Sequence, residues 1–100
     1  MNQPLSGLAP MHPGELLRED ILPALAMREE KVARLIAISR QTLSEILAET
    51  QDITPAMALR FGTLTGTAPE MWIAMQHNYG LRVQATKDAT SARASRSPRA

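Results

Sequence analysis

Apolar residues recur along this chain at helical rather than strand spacing. Leu17, Ile21 and Leu25 form a stripe behind Pro13, a residue suited to a first helical position. Glu15 sits in the opening turn, where the helix dipole favours an acid. Pro23 is expected to kink or end that helix. A second helix is expected from about Arg28 to Ala37, with Val32, Leu35 and Ile36 facing inward and no capping side chain at its start. Ser39 is a good N-cap for a third helix that runs to about Ala48. Thr54-Pro55 opens a fourth helix through Ala58, Leu59 and Phe61 to Leu64, and Gly66 stops it. Thr67-Ala68-Pro69-Glu70 fits a capping box for a fifth, on which Met71, Trp72, Met75 and Tyr79 share helical spacing. Connections this short predict an all-α, five-helix bundle of crossing helices.

The stretch ARLIAISRQTLSEIL, residues 33–47, holds two of these patterns with a break at Ile38-Ser39-Arg40. Two helices joined by so short a turn form a helix-turn-helix, which needs a small residue at the crossing and apolar residues to clamp it. Ala33 supplies the first; Val32, Ile36, Ile38, Leu43 and Ile46 supply the second. Arg40, Gln41, Thr42, Ser44 and Glu45 then stay outside, at the start of the second helix. That is where a recognition helix meets base edges. The residue types suit such contacts, since Arg bonds guanine bidentately, Gln does the same to adenine, and Ser or Thr serves bases or phosphates. An ordinary solvated hairpin would carry more Ala, Lys and Glu there.

Composition narrows the picture. With 100 residues, 44% hydrophobic and only three aromatics, the chain supports one small domain whose core is Leu, Ile, Ala and Met. There is no cysteine, so neither a disulfide framework nor a thiolate metal site exists. The first ten residues lack both Lys or Arg and a continuous apolar core, so nothing marks a signal peptide, and a cytoplasmic location is expected. Residues 1–81 hold six Lys/Arg against nine Asp/Glu, a charge of −3, while residues 82–100 hold five against one, a charge of +4. A slightly acidic folded part is not the usual footprint of a nucleic-acid binder. From Thr86 onward no large apolar residue appears, which predicts disorder. The expected organisation is an N-terminal arm over 1–11, the helix-turn-helix domain over 12–84 and a disordered basic tail over 85–100.

Little else suggests chemistry. His12 and His77 are the only histidines and have no ligand partners at metal spacing, so neither a metal nor a cofactor is expected. His12 precedes a helix start and reads as a cap or surface residue. Gly62 and Gly66 read as helix punctuation, and the Trp72/Met75 stripe as core or a dimer seam. An enzyme is not expected.

HPGELLRED (12–20), the helix-turn-helix, ITPAMALRFGTLTGTAPEMWIAMQ (53–76) and NYGLRV (78–83) together resemble the HigA-type antitoxins, over about residues 11–84. The resemblance implies a five-helix, lambda-repressor-like domain of the Xre class that forms a homodimer. It implies binding to a small basic toxin, usually an mRNA-cleaving ribonuclease of the HigB type, and repression of the shared operon at a palindromic double-stranded operator. Carried over by position, the base-reading residues are Ser39, Arg40, Gln41, Thr42 and Ser44, with Lys31 and Arg34 as phosphate contacts. Two departures stand out. Ala37 occupies a turn position where relatives often have Gly. Ala48-Glu49-Thr50-Gln51-Asp52 replaces an Asn-Gly followed by cations, which weakens the expected phosphate grip. Glu15, Glu19 and Asp20 offer an acidic surface to a basic toxin. The competing readings are an orphan regulator without a toxin, and an interaction module that no longer reads DNA.

Overall fold

The computed structural model describes residues 11–96, with side chains described to residue 90. The arm expected over 1–11 lies outside the described residues except for Met11, as do residues 97–100. Five helices and no strand occur among the described residues. We number them α1 (residues 13–25), α2 (Glu29–Ile36), α3 (Arg40–Leu47), α4 (Pro55–Thr65) and α5 (Pro69–Arg96).

The N-terminus of α1 is fixed by His12, whose Nδ1 accepts the Gly14 amide at 2.8 Å. The imidazole is buried at 1% exposure, stands edge-on to Tyr79 of α5, and leaves Nε2 without a protein partner. Burial pushes its pKa below the ordinary value; the nearby charges of Glu49 and Asp52 oppose that shift without cancelling it. His12 is therefore a neutral cap. Two residues on, α1 runs so close to α3 that a Cβ on Gly14 would collide with the Ile46 carbonyl. The interruption expected at Pro23 takes the form of a wide π turn at Leu17–Ile21 just before it. There the Leu22 amide reaches back to the Leu17 carbonyl, which accommodates a ring that would crowd a regular helix.

Leu17, Val32, Ile36, Leu43, Ile46, Phe61 and Trp72 are fully buried, with Ala33 at the α2–α3 crossing. Phe61 and Trp72 lie with ring centroids 5.3 Å apart. Trp72 is thus core rather than seam. Its buried indole needs an acceptor, and it donates to the Thr67 hydroxyl at 2.8 Å. This corrects the capping box: Thr67 serves the indole, and Pro69 simply starts α5 behind Ala68.

Leu35 is a second correction. It is 50% exposed, because Val32, Ala33 and Ile36 fill the inward stripe and a step of about 100° from Ile36 carries Leu35 out of it. α5 runs on to Arg96, and residues 85–90 are all exposed. Helix propagation from an already docked segment needs no new nucleus. Ala, Gln, Lys and Arg sustain it, a Gln84–Asp88 hydrogen bond of 2.8 Å adds one local tie, and no proline intervenes before Pro98.

Two outcomes follow for stability. Gly14→Ala is expected to lose about 1–3 kcal/mol or more in urea unfolding through overpacking. Gly80→Ala, with nothing within 4 Å of its added methyl, should gain about 0.5–1 kcal/mol. Equal effects at the two sites would refute the close α1–α3 approach. For His12, the depressed folded pKa means the unfolded chain takes up protons first as the pH falls. Its contribution is complete above the unfolded value of about 6.5 and is lost progressively as pH drops towards the folded pKa. His12→Asn, which keeps a capping acceptor, should flatten the unfolding free energy as the pH falls below about 6.5, relative to the wild type. An unchanged slope would remove His12 as the titrating group.

Candidate nucleic-acid interface

The helix-turn-helix is built by caps at both of its helix ends. α2 closes with Ala37 in the left-handed region at φ 64°, the Ala37 amide bonding the Arg34 carbonyl at 3.2 Å and the Ile38 amide bonding the Ala33 carbonyl at 3.0 Å. This is the conformation a glycine would adopt freely, and an alanine there costs about 1 kcal/mol. Arg60 of α4 donates to the Ile36 carbonyl at 3.3 Å and so satisfies another end group of α2.

Ser39 then caps α3. Its hydroxyl accepts the Thr42 amide at 3.0 Å and donates to the Thr42 hydroxyl at 2.9 Å. At the other end of α3, Glu49 takes φ 66°, and the Glu49 and Thr50 amides bond the Ile46 and Glu45 carbonyls. Arg18 of α1 reaches across to donate to the Leu47 carbonyl at 2.6 Å and to the Glu49 carboxylate at 3.1 Å, while its Nε holds Glu19 at 2.8 Å. A cation at a helix C-terminus is also where the dipole favours one. The acidic residue that replaces the expected basic stretch is thereby paired with a cation of the fold.

Lys31, Arg34, Ser39, Arg40, Gln41 and Ser44 are all exposed, and Thr42 is half-buried. Arg40, Gln41 and Ser44 lie on the outer face of α3, whereas Ser39 and Thr42 spend hydroxyl capacity on each other. Three carboxylates touch the outward-facing members. Glu30 accepts from Arg40 Nη1 at 3.4 Å, Glu29 from the Ser44 hydroxyl at 3.4 Å, and Glu45 from Gln41 Nε2 at 3.3 Å. Glu30 sits in the first turn of α2, where a backbone hydrogen bond, and after it Arg40, hold its carboxyl below the usual range.

Arg28, which sequence reasoning passed over, is exposed and lines a shallow cleft with Lys31, Arg34 and Glu30. The spacing of three residues between Arg28, Lys31 and Arg34 was the available signal.

Away from this face, α4 and α5 leave an apolar cleft of about 500 Å³ bordered by Pro55, Leu59, Pro69, Ile73 and His77. Leu59 is 60% exposed and Ile73 37%. Among the described residues there is no group of three His, Cys, Asp or Glu able to hold a metal, and no helix is long and apolar enough to cross a membrane.

No protein-family model matches the chain. It is 33% identical to virulence-associated protein I of Dichelobacter nodosus over 73 residues, which are 73% of this chain and 68% of that protein. An addiction module antidote protein of a HigA family from Coxiella burnetii superposes with a TM-score of 0.74 at 31% identity, over 84% of this chain and 91% of that one. The Pseudomonas aeruginosa antitoxin HigA, solved with the higBA promoter, superposes with a TM-score of 0.76 at 29% identity, over 83% and 90%. The two solved relatives are thus an antidote protein and an antitoxin, the second of them solved with promoter DNA.

Proposed function

The chain belongs to the HigA family of addiction-module antidote proteins, and from that premise we propose that it neutralises a HigB-type mRNA-cleaving toxin and, as a homodimer, represses its own operon at a palindromic operator. The observation that carries the DNA half is the outer face of α3, where Arg40, Gln41 and Ser44 stand exposed on a helix capped at both ends. In this reading Arg40 and Gln41 are the base readers and Ser44 contacts a base or a phosphate. Ser39 and Thr42 present the helix N-terminus to a phosphate oxygen, and Lys31, Arg34 and Arg28 grip the backbone. The solved complex of the Pseudomonas aeruginosa antitoxin with its promoter supports the same use of this fold.

The second copy covers the α4–α5 cleft. Exposed aliphatics at Leu59 and Ile73 on a small domain mark an interface, and a two-fold pairing of one patch with itself closes without open ends. Two recognition helices about 34 Å apart would then read two half-sites. The toxin partner is a basic ribonuclease, matched by Glu15, Glu19 and Asp20 on α1.

A second reading, an interaction module without DNA affinity, draws on the acidic segment at 49–52 and on the carboxylates around α3. One titration separates the two. The wild type should prefer its own promoter over a random duplex, and Arg40→Ala and Gln41→Ala should each weaken promoter binding by ~1–3 kcal/mol with the fold intact. Ile73→Glu should sediment as a monomer and lose promoter affinity. Equal affinity for promoter and random DNA at low salt would favour the interaction module. For the toxin, Glu19→Lys with Asp20→Lys should abolish co-purification with the product of the adjoining toxin gene; an intact complex would exclude this face of α1.

A further inference from the structure

The contacts between the three glutamates and the outward-facing side chains of α3 use only part of each reader's hydrogen-bonding capacity. Glu30 touches Arg40 through Nη1 alone, at 3.4 Å. Arg40 has five N–H donors in a planar fork, so a single-atom contact leaves a two-donor edge for guanine O6 and N7. Glu45 touches Gln41 through Nε2 alone, at 3.3 Å and one helical turn away. That fixes which way the amide points. It occupies one Nε2 hydrogen and leaves the other, together with Oε1, for the N7 and N6 of adenine.

We propose that Glu30 and Glu45 are specificity-determining residues that position Arg40 and Gln41 for bidentate reading of guanine and adenine while holding them back from phosphates. The inference rests on the reading of α3 as a DNA-binding helix. An orienting contact that persists in the specific complex limits side-chain motion before binding, so less freedom is lost when the base bonds form. On random DNA the same contact works the other way. Sequence-independent binding lives on Lys and Arg reaching phosphates, and an Arg40 held by Glu30 contributes less of it. Around this face four cations, Arg28, Lys31, Arg34 and Arg40, meet three carboxylates, Glu29, Glu30 and Glu45, which leaves a small positive balance. An isolated exposed ion pair adds little stability, so the fold does not require these glutamates. Their effect falls on how the readers are presented.

The test uses the full chain, its own promoter duplex and a random duplex of equal length, titrated by fluorescence anisotropy at two salt concentrations. Glu30→Ala should lower the promoter-to-random affinity ratio roughly 3- to 10-fold, with random-duplex binding tightened and its salt dependence steeper. Glu30→Gln, which removes charge but keeps an acceptor for Arg40, should tighten random binding similarly yet preserve more of the ratio. In an Arg40→Ala background, Glu30→Ala should no longer change promoter discrimination at the guanine position. Glu45→Ala should behave likewise against Gln41→Ala. A high wild-type ratio that Glu30→Ala and Glu45→Ala leave unmoved, or that they raise, overturns this inference alone. A wild-type ratio near one removes DNA reading and the positioning role together.

Discussion

The constraint on which the rest depends is the backbone contact between Gly14 and the Ile46 carbonyl. α1 crosses the C-terminal turn of α3 at a separation that admits no side chain, so the two helices meet main chain against main chain. That approach brings Arg18, one turn further along α1, within reach of the Leu47 carbonyl, and it holds His12 between the start of α1, the Gln51 region and Tyr79 of α5. The rear end of α3 is therefore gripped by α1, while its front end projects with Ser39 as cap and Arg40 and Gln41 outermost. A helix held at one end and exposed at the other can present side chains without giving up its orientation.

Much of this arrangement was legible in the residue pattern, for physical reasons that differ from place to place. Pro13, Ser39, Thr54 and Gly66 act through their own backbone and side-chain chemistry, which needs no knowledge of the fold, and each marks a helix end where expected. Ala33, Leu43 and Ile46 follow from one-sided burial at helical period. What escaped were choices settled by tertiary contact. Leu35 looked as apolar as Ile36, yet only one of them lies on the inward stripe. Thr67 had a local capping role open to it and a distant donor in Trp72, and the buried indole took it. Arg18, to which the pattern assigned nothing, links α1 to the end of α3 through a residue 29 positions away. For the residues on the outer face of α3, the pattern indicated which side chains stay outside; the contacts that Glu29 and Glu30 make with them depend on how α2 crosses α3.

Charge illustrates the gap between a sum and an arrangement. A net charge of −3 over residues 1–81 argues against nucleic acid if the charges are smeared evenly. They are not. Glu19 and Glu49 are paired with Arg18 at the back of α3, where they neutralise the cation that caps it. Glu29, Glu30 and Glu45 lie against Ser44, Arg40 and Gln41 on α3. The remaining cations, Arg28, Lys31 and Arg34, line the adjoining cleft together with Glu30. Attraction to a polyanion depends on this local order, because charges separated by more than about 10 Å are largely screened at ordinary salt.

The left-handed residues fit the same scheme. Ala26, Ala37 and Glu49 take positive φ where glycine would be unstrained, and all three lie at the helix ends that frame the helix-turn-helix. Each carries a backbone penalty of order 1 kcal/mol, so something on either side must hold it. Ala37 is held by two amide bonds to α2, with Arg60 on the neighbouring carbonyl, and Glu49 by two amide bonds to α3 and the Arg18 ion pair. In the second case the side chain earns its place: a glycine at 49 would relax the turn but remove the carboxylate that helps keep Arg18 on the Leu47 carbonyl. The sequence thus exchanges local comfort at the end of α3 for a tether from α1, which is the same tether that Gly14 makes possible.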